Sequence, residues 1–390
     1  MKVGRARIAS AAAVLAASLL TTGCWGLQPV EKTGLVAVMG IDLATGGYEV
    51  SLLVGRPSGT PTSGGLGGSS HGKPATLDEA AAPTVGQAIN HLRAATPLAL
   101  NFTHLEVLVV SAALARSGLA APLALLATSR HEVETPWLLV ARGTSAVSIL
   151  QALVGELPRP GGVAVDTITQ ARQGSPYQAG HLFTLFDEMN LEGDEFATAG
   201  ARLRTTANGP RLAMDGVGLF RADRLVGWLD GGAALGWLLA TGRASRPVLT
   251  VPSPDGPVGL QIKGDRRTIR VRRGPAGPVA TIGIRVLADV VTLPPGPADF
   301  WRDPGQQAAL RSAAAATIAD DVSAALAAAR SAGADVFSLG EFVRVSDPAL
   351  WEADRATWNT SGFPHLPVRV SVQVALSSLG ETVCPSLGSC

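Results

Sequence analysis

Apolar positions in the first third of the chain fall into short runs separated by turn residues, and then at helical spacing. Leu35-Val36-Ala37-Val38-Met39 and Tyr48-Glu49-Val50-Ser51-Leu52-Leu53-Val54 flank Thr45-Gly46-Gly47. Two apolar runs about a Gly-Gly turn predict a β-hairpin. Residues 58–83 are rich in Gly, Ser, Pro and Thr and predict a flexible surface loop. Thr84 then stands as N-cap to a helix with Val85, Ala88, Ile89 and Leu92 on one face. Residues 104–110 read as a strand, 114–126 as a helix, 137–141 as a buried strand and 145–153 as a helix. This alternation predicts α/β or α+β layers. The stretch 158–195 is mixed and mostly helical, with turn signals at 174–176.

The character changes after Thr198. Glycines are frequent and the predicted strands are short. Gly216-Val217-Gly218-Leu219-Phe220 and Leu225-Val226-Gly227-Trp228-Leu229 predict a second hairpin about a turn at 221–224. From 281 to 291 the alternation is regular, with Ile282, Ile284, Val286, Ala288 and Val290 on one face, which predicts a half-buried antiparallel strand. Prolines at 294–297 break the chain. Asp303-Pro304 supplies an N-cap followed by proline at the first helical position. The alanine-rich helix then runs to Ala332 and stops at Gly333. Its stripe of Leu310, Ile318, Val322 and Leu326 marks a long helix laid on a sheet. Asp335-Val336-Phe337 and the alternating Val368, Val370, Val372, Val374 and Leu376 read as further strands. No internal repeat is present.

The N-terminus reads as a secretory leader. Lys2, Arg5 and Arg7 precede an apolar run from 8 to 20 and the small residues Thr21-Thr22-Gly23. Cys24 follows directly, which points to a bacterial lipoprotein whose thiol is acylated. Thr21 occupies the position where such leaders usually carry Leu, so an ordinary secretory cut that leaves a plain thiol is the alternative. Two or more acyl chains would anchor the chain stably, at about 0.8 kcal/mol per buried CH₂. The apolar run is shorter than the roughly 20 residues of a membrane span.

Composition narrows the partners. Loss of the leader takes the formal charge from +1 to −2, leaving no net basic character for nucleic acid. The length suggests two or three domains, and the 46% hydrophobic content suffices for real cores. With Cys24 acylated, Cys384 and Cys390 remain, and an oxidising location permits a disulfide between them.

Chemistry-bearing patterns are sparse. Gly67-Gly68-Ser69-Ser70-His71-Gly72-Lys73 has P-loop spacing, but Pro74 stands where Ser or Thr should hold Mg²⁺, inside a predicted loop. His71, His91, His104, His131, His181 and His365 show no metal-ligand spacing. Ser145 and Ser175 lack the glycine frame of a nucleophile elbow. Asp187-Glu188 and Asp194-Glu195 read as solvated carboxylates. Trp228, Trp237, Trp301, Trp351 and Trp358 read as packing residues more readily than as a ligand groove. No catalytic residue, metal site or cofactor site emerges.

The blocks together resemble the Ger(x)C family, the lipoprotein C subunits of bacterial spore germinant receptors. Gly23-Cys24-Trp25 looks like the family's opening, with Gly26 where aspartate is usual. Gly40-Ile41-Asp42, Tyr48-Glu49-Val50 and Pro57 follow its first hairpin, and His104-Leu105-Glu106-Val107 and the 137–143 block (Trp137 to Gly143) follow in order. The second half matches better: Gly218-Leu219-Phe220, Val226-Gly227-Trp228-Leu229, Gly236-Trp237, Asp335-Val336-Phe337, Gly340-Glu341, Trp351 and Trp358-Asn359. The resemblance implies a three-domain mixed α/β ectodomain on the outer face of the inner spore membrane. It also implies assembly with an A-type membrane subunit and a transporter-like B-type subunit, and a role that is not enzymatic. Only Cys24 carries over with a stated role. With the elements above, the expected fold class is α+β, the C-terminal domain having a long helix on an antiparallel sheet. The expected boundaries are a leader at 1–23, an N-terminal region at 24–197 containing the 58–83 loop, a β-rich middle at 198–293, a C-terminal α/β domain at 294–383 and a tail at 384–390. A solute-binding lipoprotein that captures a small nutrient directly is the alternative reading.

Overall fold

The computed structural model describes residues 32–55, 75–128, 136–154, 160–243, 246–275, 277–294 and 303–379. The expected leader, Cys24, the P-loop-like stretch, Trp301, Cys384 and Cys390 lie outside the described residues.

The chain begins with β1 (Thr33–Ala44), β2 (Gly47–Gly55), β3 (Ala75–Ala82), α1 (Val85–Ala95), β4 (Ala99–Asn101), β5 (Val107–Ser111), α2 (Ala112–Ser117) and α3 (Ala120–Thr128). There follow β6 (Trp137–Ala141), α4 (Ala146–Val154), α5 (Pro160–Gly174), β7 (Gly180–His181), α6 (Leu182–Glu188), β8 (Ala197–Thr206), β9 (Gly209–Arg221) and β10 (Arg224–Leu229). All these strands form one sheet in the order β10-β9-β8-β6-β5-β1-β2-β3, with β4 beside β1 and β7 beside β6. Its centre is parallel (β1 with β5, β5 with β6, β6 with β8) and its flanks are hairpins. Helices cover both faces. Leu92, Leu114, Leu123 and Leu185 pack on one side, while Ile149, Leu150 and Ile168 pack on the other. The central strands are therefore continuous apolar runs, as a doubly covered sheet requires.

The second half contributes α7 (Gly231–Thr241), β11 (Val248–Val251), β12 (Val258–Gly274), β13 (Gly277–Thr292), α8 (Pro304–Ala332), α9 (Leu339–Ser346), α10 (Pro348–Asp354), α11 (Phe363–His365) and β14 (Val368–Leu379). Its sheet runs β11-β12-β13-β14. Helix α8 lies on one face and buries Leu310, Ala314, Ile318, Val322 and Leu326. Helix α7 crosses α8 closely, because a Cβ on Gly236 would stand 2.3 Å from the Asp321 carbonyl carbon. Residues of β8, β9 and β10 share this second core.

The fold class is α+β as expected, and most local signals hold. Thr84 caps α1 by accepting from Gln87 N at 3.1 Å. Asp303 caps α8 by accepting from Gly305 N at 2.7 Å, and Gly333 ends it in the left-handed region. Four expectations are corrected. The loop expected at 58–83 is shorter, because 75–82 form β3, an edge strand ordered by the ladder of β2 despite weak strand propensity of its own. The helix expected at 114–126 is two helices, divided at Gly118 with φ +118. Residues 335–337 are a turn rather than a strand, for reasons given below. The second sheet is not wholly antiparallel: the long α8 crossover returns β14 parallel to β13. Strands β8 to β10 complete the first sheet, and β11 to β13 open the second.

Candidate functional site

Residues far apart in sequence converge where the two halves meet, several of them motif positions of the second half. The segment 189–196, which leaves α6, lies against the turn 334–340 that leaves α8. Two glycines permit the contact. A Cβ on Gly340 would stand 2.5 Å from Gly193 Cα and 2.7 Å from Trp358 Nε1, and one on Gly193 would stand 2.6 Å from Trp351 Cη2. Gly193 also has φ +86.

Asp335 organises the turn. It is fully buried. Its Oδ1 accepts from Leu339 N at 3.1 Å, and its Oδ2 accepts from Gly340 N at 2.7 Å and from Trp358 Nε1 at 2.9 Å. The carboxylate thus receives the free amides at the start of α9, which a strand would not present. Around it, Ser338 Oγ donates to Asp194 Oδ1 at 2.8 Å, and Glu195 N donates to Asp335 O at 3.2 Å. The Glu195 carboxylate accepts from Ala222 N at 2.6 Å and from Asn359 Nδ2. Arg355 Nη1 donates to Glu192 Oε1 at 3.2 Å, and Trp237 Nε1 donates to Val336 O at 3.0 Å. Trp351 and Trp358 meet edge to face at 5.4 Å.

The seam is electrostatically unusual. Burial pushes Glu188 up to about 8; the neighbouring Asp194 adds to this, and Arg243, 3.9 Å away, opposes it. Burial likewise raises Asp194, against the Ser338 hydroxyl. It lifts Glu195 to about 7, against the donors of Ala222 and Asn359. It lifts Asp335 to about 7, against its three N–H donors. Burial thus brings Glu188, Glu195 and Asp335 toward neutral pH, at a seam that ties two regions of the chain together. Among the described residues no group of three or more His, Cys, Asp or Glu is placed to hold a metal ion.

Two further motif positions have local tasks. Asp42, of Gly40-Ile41-Asp42, accepts from Ala146 N and Val147 N at 2.9 Å each and so caps α4. Arg142 Nη1 lies 2.5 Å from Asp230 Oδ1, with its guanidinium 4.6 Å above Trp228. Hydrogen bonding between the pair raises Arg142 and lowers Asp230.

Glu188, Asp194 and Glu195 are not the solvated carboxylates that the sequence suggested, because the second half of the chain covers them; only Asp187 is exposed. Gly193 beside them and the apolar Phe196-Ala197 after them were the available signal. Trp237, Trp351 and Trp358 are buried in packing. Two hollows, of about 280 and 360 Å³, open at the rim of the first sheet, and neither is lined by tryptophan. Among the histidines, His91, His104 and His365 are exposed and His181 stacks on Trp137 at 3.6 Å. His71 and His131 lie outside the described residues. Ser145 Oγ accepts from Ser148 N, and Ser175 Oγ accepts from Tyr177 N, so both serve local turns.

Both sides of the seam fall within segments that match known families. Residues 27–199 match the family described as spore germination protein N-terminal domain, and residues 215–380 match the family described as spore germination B3/GerAC like, C-terminal. The chain belongs to the GerAC-like spore germination proteins. A protein of Bacillus subtilis (strain 168) named for spore germination, YfkR, is 24% identical over 253 residues, covering 63% of this chain and 64% of that protein. The crystal structure of the GerBC protein superposes with a TM-score of 0.55 at 16% identity, covering 87% of this chain and 96% of GerBC, which shows a shared fold. In this GerAC-like chain, Glu188, Gly193, Asp194 and Glu195 belong to the N-terminal match. Asp335, Gly340, Trp351 and Asn359 belong to the C-terminal match. The seam is therefore the joint between the two family segments. No helix among the described residues is long and apolar enough to cross a membrane.

Proposed function

We propose that this GerAC-like chain is a non-enzymatic subunit of a spore nutrient germinant receptor, tethered by acylated Cys24 to the outer face of the inner spore membrane. It works there in receptor assembly or in coupling a signal between subunits, with A-type and B-type membrane subunits as its partners. The observation that supports this most is the presence of both family segments in order, joined by a seam in which motif residues of the second segment meet Asp194 and Glu195 of the first. A tether raises the effective concentration of the folded region toward membrane partners, so weak contacts suffice for assembly. The same oxidising location permits a disulfide between Cys384 and Cys390.

The test is an affinity capture from spore inner membranes, with a tagged chain beside a tagged Cys24→Ala chain, read by mass spectrometry. Recovery of A-type and B-type germination subunits, reduced by Cys24→Ala, is the expected result. Recovery of the chain alone would overturn the receptor reading and leave direct capture of a nutrient as the better one.

A further inference from the structure

The second sheet has one face under α8, and the other is bare among the described residues. On β12 the bare positions are Arg266, Thr268, Arg270 and Arg272, and all four are exposed. Register places Arg266 beside Arg285 of β13 and Gln373 of β14. One row on, Thr268 lies beside Gly283 and Ser371, and the next row holds Arg270, Thr281 and Arg369. Adjacent strands are about 4.8 Å apart and alternate residues about 6.8 Å apart, so the guanidinium groups form a flat array. Among the described residues none of Arg266, Arg270, Arg272, Arg285 and Arg369 has an ion pair; Arg285 donates to Gln373 Oε1 at 3.1 Å. The carboxylate on this face, Asp289, is engaged by Lys263 at 3.3 Å. Toward that end the face carries Val248, Leu287 and Val291, three of the large apolar side chains that remain exposed.

A chain whose formal charge after loss of the leader is −2 has thus gathered unpaired arginines on one sheet face. Folding gives no reason for this, since like charges across neighbouring strands repel. The arginines are spread over three neighbouring strands along an open face rather than gathered about one point, which suits many anions more than a single small one. A flat array of guanidinium forks, each able to take a phosphate in bidentate fashion, complements a flat array of phosphates. The neighbouring apolar side chains suit the boundary between headgroups and acyl chains.

We propose that the bare face of the second sheet docks on the anionic headgroup layer of a membrane. The docking adds a second membrane contact to any lipid tether and fixes which way the folded region faces. It does not depend on acylation.

The test uses the full chain with Cys24→Ala, which removes the acyl contribution, and vesicles of phosphatidylglycerol and phosphatidylethanolamine against vesicles of phosphatidylcholine alone, read by flotation. Arg266→Gln, Arg270→Gln and Arg369→Gln are combined, beside a control combining Arg93→Gln, Arg116→Gln and Arg204→Gln elsewhere on the surface. The expected result is preference for the anionic vesicles, weakened by salt and reduced about 100-fold by the sheet-face triple but not by the control, from about 1 kcal/mol per basic residue. Equal loss in both triples, or no loss in either, would overturn the proposal. So would sheet-face substitutions that spare vesicle binding but abolish capture of membrane subunits, which would assign the face to an acidic protein partner.

Discussion

Among the described residues the first sheet carries helices on both faces, and the second carries them on only one. In the first, β5 is buried at every position from Val107 to Ser111, and β6 is buried from Leu138 to Ala141. In the second, β13 alternates: Ile282, Ile284 and Val286 face α8, while Arg285 and Leu287 face outward. Residues of the first sheet are committed to packing on both sides, so their identity reports on stability. Alternate residues of the second sheet are released from that duty, so their charge reports on something outside the fold. The seam between the sheets is a third case, where polar groups are buried but each is met by a specific partner.

The sharpest way to break this comparison is at the seam. Asp335→Ala leaves the amides of Leu339 and Gly340 and the indole N–H of Trp358 buried without an acceptor. Each orphaned donor costs about 1–3 kcal/mol, so a loss of about 4 kcal/mol is expected in denaturant unfolding. Asp335→Asn keeps one acceptor oxygen and should cost less. A loss below about 1 kcal/mol for Asp335→Ala would show that the turn does not depend on this carboxylate. Next in size is Gly340→Ala. The added methyl meets backbone at Gly193 and the Trp358 indole, neither of which is the free end of a flexible side chain. Overpacking of this kind costs about 2 kcal/mol. Limited proteolysis should show cleavage near 189–196 before global unfolding.

What the sequence made legible, and what it did not, follows the same division. Thr84, Asp303, Pro304 and Gly333 mark helix ends by chemistry local to a few residues, and the structure uses them so. The alternation along β13 is also local, and it correctly separates a covered face from an open one. Strand β3 was missed because its order comes from β2, and a Thr-Leu-Asp-Glu-Ala stretch has little strand propensity of its own. Residues 335–337 look like a strand until Asp335 is seen accepting from the amides of α9. Asp194 and Glu195 are met by Ser338 and Asn359, 144 and 164 residues later in the chain, and Glu188 faces Arg243. Gly193 and Phe196-Ala197 beside Asp194 hinted at burial but could not name the segment that covers it. The arginines at 266, 270 and 272 were visible as letters, but their common face with Arg285 and Arg369 needed the register.

The third prediction tests whether the seam carboxylates are as buried as their surroundings imply. Glu188, Glu195 and Asp335 keep their protons in the folded protein to about pH 8, 7 and 7, well above their ordinary range near 4. Between those limits the unfolded chain binds fewer protons than the folded one, so stability falls as pH rises. Their contribution is complete below about pH 4 and is lost by about pH 8. The slope is at most about 1.4 kcal/mol per pH unit for each group. Glu188→Gln should flatten the fall between pH 5 and 8 in a series of unfolding curves. An unchanged slope would mean that water reaches Glu188.

The smallest expected effect is on the open face, and it completes the comparison. Arg266→Gln and Arg270→Gln remove side chains that are exposed and unpaired among the described residues. Surface substitutions away from caps, cores and buried pairs change stability by about 0.5 kcal/mol or less. Relief of repulsion between Arg266 and its cross-strand neighbour Arg285 makes a slight gain the expected sign, larger at low salt where screening is weak. Denaturant unfolding at two salt concentrations reads both quantities. A loss of 2 kcal/mol or more would mean that these arginines hold the fold together, and the distinction between a covered face and a released one would then fail at this sheet. A neutral or slightly stabilising result, alongside weaker vesicle binding, would locate the value of these charges outside the folded chain.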